Sequence, residues 1–269
     1  MKTQATKAFV AAAFIFAASA VSAGPITTWT VDVTTVFDTS SVLPNSGITA
    51  TDTSLRWGSS DQSGIDITDS PASGQVDTNG SAVANVSITH LNQPINGTTL
   101  ESVNILSTLT LTAHTPSGGP QVGPNTITFG INFKETSNKS AGSTCADGSN
   151  YGVGVNINGC ADIFVIDKSS LNFEFFYDDL DGSGVTDRSY FISFFELTNG
   201  LNPLTSAACL AATGSSAACF GFETPEGANT TFQFASLITT ERVSVPEPGI
   251  LALFGAALSS IFFTRRRKA

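Results

Sequence analysis

The densest set of side chains able to do chemistry lies between two aromatic stretches, in the segment Tyr177 to Tyr190, YDDLDGSGVTDRSY. Asp179, Asp181, Ser183, Gly184 and Asp187 occupy the first, third, fifth, sixth and ninth places of a calcium loop. Alternate acidic and hydroxyl side chains around a glycine turn bring oxygen ligands onto one hard cation. Asp178 is available as a substitute ligand. The twelfth place holds Tyr190 instead of a bidentate Glu, and strands are expected on both sides instead of helices. The segment reads either as a calcium site of weak, extracellular affinity or as a solvated acidic turn whose glycine permits a positive φ. Calcium is the one cofactor the sequence suggests.

Other candidates are sparser. Thr89-His90-Leu91-Asn92 follows a strand-like run, and His114 is the only other histidine. His90 offers a ligand or an acid/base group. The preferred reading is structural: its ring nitrogens, with the side chains of Thr89 and Asn92, bond neighbouring backbone and pin the strand end. The four cysteines, Cys145, Cys160, Cys209 and Cys219, suit an oxidising compartment and allow three pairings. Neighbour pairing staples two loops that have little apolar content of their own. No pair has the short C-x-x-C spacing of a zinc site. The chain has no G-x-S-x-G elbow, no H-E-x-x-H and no P-loop. A glycosidase needs two carboxyls across a groove. Glu174 and Glu196 are the pair on offer, but both fall on the expected solvent parity of their strands.

The elements that position these residues are strands. Trp29, Val31, Val33, Thr35 and Phe37 alternate with polar residues, as do Ile127, Phe129, Ile131 and Phe133. Val103, Ile105, Leu109 and Leu111 share one parity of a long Thr/Ser-rich stretch. Val83 to Thr89 and Ile163 to Ile166 are further candidates. Inward sets are expected at Leu171, Phe173, Phe175 and Tyr177, at Phe191, Phe195 and Leu197, and at Phe232, Phe234 and Ile238. Clean alternation means one buried and one wet face, the mark of antiparallel sheets. Eight or more such strands predict an all-β, antiparallel β-sandwich, with a jelly-roll as one candidate topology. One short helix is expected near Thr205 to Ala212. The stretches Asp52 to Gly80 and Lys134 to Gly159 read as long polar loops.

The two ends carry addresses. Met1 to Ala23 has a basic start (Lys2, Lys7), an apolar run from Ala8 to Ala18, and Val21-Ser22-Ala23 before Gly24. That is a secretory signal helix cut by signal peptidase between Ala23 and Gly24. At the other end, residues 245–269 read Pro246-Glu247-Pro248, an uncharged run from Gly249 to Phe263, and the basic stop block Arg265, Arg266, Arg267, Lys268. A 15-residue helix spans roughly 22 Å against a hydrocarbon core of about 30 Å, so it is a marginal anchor. The basic block stays cytoplasmic and leaves the body outside. Between these ends, residues 24–244 form a single expected domain. The stretch from Gly24 to Pro248 keeps 6 Lys+Arg against 22 acidic residues, a charge of −16. That field repels phosphate backbones and argues against nucleic acid.

The order Val-Pro-Glu-Pro-Gly, apolar helix, terminal arginines resembles the PEP-CTERM sorting signal. The resemblance implies a Gram-negative, exopolysaccharide-producing source. It also implies recognition of Pro246, Glu247 and Pro248 by an exosortase, with loss or exchange of the tail. With that tail, Thr89, His90 and Asn92 resemble the string that names the THxN family of PEP-CTERM proteins. The stretch CFGFETPEGANTTFQF, Cys219 to Phe234, is similar to that family's region before the sorting signal. The family implies no mechanism.

These readings lead to an expectation of a non-enzymatic protein, passing through the inner membrane by transient insertion or a retained anchor. It would end at the cell surface or in the extracellular matrix and act by adhesion or association, with exopolysaccharide as a partner. The alternative is a calcium- or carbohydrate-binding module using the Asp178–Asp187 loop. In that reading Trp57 and Tyr151 are the aromatics available for sugar stacking. A glycoside hydrolase is the third reading.

Overall fold

The computed structural model describes residues 25–59, 62–138, 143–167, 171–177, 188–198 and 201–242. The expected signal helix and the expected C-terminal apolar helix lie outside the described residues. The first sheet is built from β1 (Thr28–Leu43), β5 (Ala72–Asp77), β7 (Ser102–Thr115), β8 (Val122–Lys134), β9 (Asp162–Ile166), β12 (Asn202–Pro203) and β13 (Phe220–Thr224). Its order is β12-β13-β9-β8-β7-β1-β5. The second contains β2 (Ile48–Ala50), β3 (Ser54–Trp57), β4 (Ser63–Thr68), β6 (Val83–Leu91), β10 (Asn172–Tyr177), β11 (Arg188–Glu196) and β14 (Asn229–Thr239). Its order is β10-β11-β14-β6-β4-β3-β2. Neighbouring strands are antiparallel throughout both sheets. The architecture is a β-sandwich of two seven-stranded antiparallel sheets.

Period-two patterning produces the core. Val31, Val33 and Phe37 on β1 and Val103, Ile105, Leu109 and Leu111 on β7 point inward, and all are buried. They meet Ile65 and Ile67 on β4, Ile192 and Phe194 on β11, and Ile238 on β14 in one apolar cluster. Trp29 anchors one end of it. Its ring meets Phe175, Tyr177 and Tyr190 of the opposite sheet edge-on, at 5.3, 4.9 and 5.1 Å. Its indole N–H donates to Thr78 Oγ1 at 3.1 Å, so its polar edge is satisfied.

Strand β9 departs from alternation because both its faces are covered. Phe164 and Ile166 join the main core, while Ile163 and Val165 pack outward against Ala208. Ala208 belongs to α1 (Ser206–Thr213), which Thr205 caps by accepting the Ala208 N–H at 3.0 Å. Gly214 ends the helix in the left-handed region at φ 73°. The Cys209–Cys219 bridge ties α1 to the start of β13, and Cys145–Cys160 closes the loop before β9. These are the neighbour pairs.

Several expectations are corrected. Residues 52–80 are not a loop: β3, β4 and β5 lie there, short strands whose Ser, Asp and Gly content hides their period. The expected polar loop from Lys134 to Gly159 stands: among its described residues no strand is assigned beyond the end of β8. Polar side chains hold that stretch, with Asn156 Nδ2 donating to Asp147 Oδ2 at 2.9 Å and its Oδ1 accepting from Ala161 N at 2.6 Å. On β11 the inward set is Tyr190, Ile192 and Phe194, one residue out of phase with Phe191, Phe195 and Leu197. Both parities carry aromatics, so alternation could not choose between them. Packing against Trp29 fixes Tyr190 inward, Phe191 lies under the Arg242 guanidinium at 5.7 Å, and Leu197 is 51% exposed.

Replacing Trp29 with Ala should cost about 3–5 kcal/mol in equilibrium urea unfolding, as for other large-to-small changes at fully buried aromatics. Phe176, which is exposed, should tolerate Ser within about 0.5 kcal/mol in the same measurement.

Candidate functional site

At the end of the sandwich where β6 and β14 of one sheet meet β9 and β13 of the other, polar side chains enter the seam. His90 lies on the inner face of β6, opposite Ile65 and Thr230, and is 1% exposed. Its ring is edge-on to Phe164 at 4.8 Å and Phe133 at 5.6 Å, and nearly parallel to Trp57 at 6.0 Å. Nδ1 lies 2.9 Å from Thr224 Oγ1 on β13, a hydrogen bond that crosses between the sheets. Asn92 Nδ2 donates to the Thr224 carbonyl at 3.1 Å. Thr89, on the other face, shares a hydrogen bond with Thr231 Oγ1 at 2.9 Å. The Thr-His-x-Asn string and the Thr224 stretch, distant in sequence, therefore meet here.

Three carboxylates converge beside His90. Glu135 follows the last residue of β8, Asp162 opens β9, and Glu226 sits in the turn from β13 to β14. One oxygen from each lies within 4.8 Å of the others. Trp57 Nε1 donates to Glu135 Oε2 at 2.8 Å, and the Thr136 N–H donates to Asp162 Oδ1 at 2.7 Å. Asn138, with its amide nitrogen turned toward Glu226, reaches Oε2 at 2.9 Å and Oε1 at 3.2 Å. The opposite amide orientation would set oxygen against oxygen. Gly159, inside the Cys145–Cys160 loop, packs on the Glu226 stem so closely that a Cβ there would stand 2.6 Å from Glu226 Cγ. Glu135 Oε1, Asp162 Oδ2, Asn92 Oδ1 and His90 Nε2 are buried without a hydrogen-bond partner. Nε2 is 3.9 Å from Asp162 Oδ2, beyond hydrogen-bonding distance.

The electrostatics follow from burial. Desolvation holds His90 neutral, lowering its pKa from 6.5 to about 3, so its approach to Asp162 is not an ion pair. Asp162 is pushed well above the usual carboxylate range by burial, then by the charges of Glu135 and Glu226, against the opposing Thr136 hydrogen bond. Burial lifts Glu135 to about 7, with Glu226 adding to the rise and the Trp57 hydrogen bond opposing it. Burial also raises Glu226. Among the described residues no lysine or arginine forms a salt bridge with any of the three. The arrangement is a buried acidic cluster able to coordinate a metal ion.

The sequence-derived sites fare differently. The calcium loop residues Asp179, Asp181, Ser183 and Asp187 lie outside the described residues. So do Ala23 and Gly24, the sorting residues Pro246, Glu247 and Pro248, and the basic block Arg265, Arg266, Arg267 and Lys268. Trp57 is not an exposed aromatic but a fully buried one serving Glu135, and Tyr151 is half-buried. Glu174 is exposed and accepts from Ser189 Oγ. Glu196 is not on the solvent parity: it follows Ile192 and Phe194 on the inner one and accepts from the Thr198 N–H at 2.8 Å. The two carboxyls occupy opposite faces of the second sheet and do not share a groove. Sequence reading passed over Glu135, Asp162 and Glu226. The one signal was Asp162 abutting the apolar run Ile163 to Ile166, where a charge is costly unless used.

Comparison with protein-family models identifies a PEP-CTERM protein-sorting motif over residues 244–268. Comparison with curated proteins returns no match. The chain thus carries the sorting motif near its C-terminus. That motif implies processing by signal peptidase and exosortase, and export toward the surface.

The raised carboxylates make stability depend on pH. Between their unfolded and folded pKa values the native state binds more protons than the unfolded chain, so stability falls as pH rises through that interval. His90 acts oppositely, destabilising the fold only below its ordinary value of 6.5. With divalent cations chelated, urea-unfolding stability should therefore decline as pH rises from 6.5 to about 8, and Glu135→Gln should flatten that slope.

Proposed function

We propose that this chain is an exported, exosortase-sorted protein of the cell surface or extracellular matrix, belonging to the THxN group and acting by association without catalysis. The sorting motif at residues 244–268 carries the reading. The outer face of the first sheet supports the mode of action. Along β1, β7 and β8, residues Thr34, Thr108 and Thr126 stand side by side in register, as do Thr30 and Thr112. Thr108 and Thr126 hydroxyls lie 3.0 Å apart. Such a hydroxyl-rich face suits hydrogen bonding to a hydrated polysaccharide.

Cell fractionation tests the proposal. In an exopolysaccharide-producing host, the full chain should co-sediment with the matrix, and in a strain lacking the polymer it should appear free in the medium. Replacing Thr108 and Thr110 with Glu should reduce matrix retention severalfold while leaving export intact. A C-terminal tag should be absent from the surface form, and changing Pro246-Glu247-Pro248 to alanines should retain the tag in the membrane fraction. Equal partitioning with and without the polymer would refute association, and a tag kept on the surface form would refute sorting by cleavage.

A further inference from the structure

We propose that Glu135, Asp162 and Glu226 bind one calcium ion in the seam between the two sheets, fastening the β8–β9 loop and the β13–β14 turn to each other. The proposal goes beyond surface association and does not depend on it.

Geometry supplies the first argument. Oxygen ligands of calcium lie about 2.3–2.6 Å from the ion, so any two of them are no more than about 5 Å apart. One oxygen of each carboxylate meets that limit, all lying within 4.8 Å of one another. Two of the carboxylates have one oxygen in use: Trp57 Nε1 holds Glu135 Oε2, and the Thr136 N–H holds Asp162 Oδ1. Each of those two carboxylates is thus oriented by one oxygen while the other, Glu135 Oε1 or Asp162 Oδ2, is buried with nothing to bond. Outer partners that fix a ligand and leave its donor atom free are the usual surroundings of a metal.

His90 is the independent second observation. It is 1% exposed, its Nδ1 is occupied by Thr224, and its Nε2 faces Asp162 Oδ2 across 3.9 Å without a partner. A neutral imidazole at that distance cannot neutralise the acids. Among the described residues no cationic side chain pairs with these carboxylates, two buried and one half-buried, and a divalent ion offsets their desolvation cost directly. An all-oxygen carboxylate set selects a hard cation over a thiophilic one.

Thermal unfolding of the exported protein in chelator, then in calcium chloride, provides the test, with magnesium, manganese and zinc salts as parallel arms. Calcium about tenfold above its Kd should raise Tm by about 3–6 °C. The Kd should fall in the range of about 10⁻⁴–10⁻³ M typical of extracellular modules. Glu226→Gln should remove most of the shift, whereas Asp181→Asn, in the separate acidic loop, should leave it. Asp162→Asn should abolish it; because that variant is the one most exposed to misfolding, Glu226→Gln and Glu135→Gln carry the decision. No shift with calcium at ~10 mM, tenfold above the weakest affinity of that range, overturns the proposal. A shift undiminished in Glu226→Gln, or one seen only with zinc or manganese and lost in His90→Gln, overturns it as well.

Discussion

Three acidic groups withdrawn from water at one point of the seam set the terms for that end of the sandwich. Carboxylates this close do not all ionise in a protein interior without a counter-charge. Burial therefore drives Asp162, Glu135 and Glu226 toward their protonated forms unless a cation is supplied. Much of the surrounding architecture arranges donors around them. Trp57 sends its indole N–H across from the second sheet, the backbone past β8 turns the Thr136 N–H inward, and His90 links β6 to β13 through Thr224. The apolar core joins the sheets along most of their length. Here polar contacts join them as well, and such contacts specify geometry more sharply than hydrophobic burial does.

The covalent staples fall at the same end. Cys160 lies two residues before Asp162, and its carbonyl accepts the hydroxyl of Thr136, the residue whose N–H holds Asp162. Gly159 beside it makes room for the Glu226 stem. The second bridge ties α1 to β13, whose last residue is Thr224. A change in the redox state of either loop would therefore reach the acidic cluster through one or two bonded neighbours. Disulfides persist in oxidising compartments, which agrees with an exported chain.

Legibility followed the physics of each element. Strands with one wet face, such as Val103 to Leu111, announced themselves by period two, and one short helix was expected near Thr205 to Ala212. The sandwich was readable from these alone. Strands β3 to β5 were not, because they are short, interrupted by Ser, Gly and Asp, and buried by partners that local sequence does not name. The parity of β11 was undecidable for the opposite reason, with aromatic residues on both faces. The site was harder still. Glu135, Asp162 and Glu226 stand far apart in sequence with no repeating interval. Only the antiparallel pairing of β8, β9 and β13 brings them together. Of that constellation the sequence exposed His90 and Asn92, as a short string read as pinning a strand end.

Their placement bears on what that string is for. If His90 served only to pin the end of β6, its Nδ1 bond to Thr224 and the Asn92 bond to the Thr224 carbonyl would be enough. A threonine or glutamine could do the same at lower cost, since burying an imidazole lowers its pKa from 6.5 to about 3 and forfeits protonation energy whenever the surroundings turn acidic. The histidine instead places a second, unbonded nitrogen 3.9 Å from the most deeply buried acid of the cluster, within a box of Trp57, Phe133 and Phe164. Aromatic walls exclude water and fix the ring's plane, so the direction of that nitrogen is set by packing. A pinning role accounts for one edge of the imidazole. The other edge makes sense only in relation to the acids it faces, which joins the string to the carboxylate cluster as parts of one site.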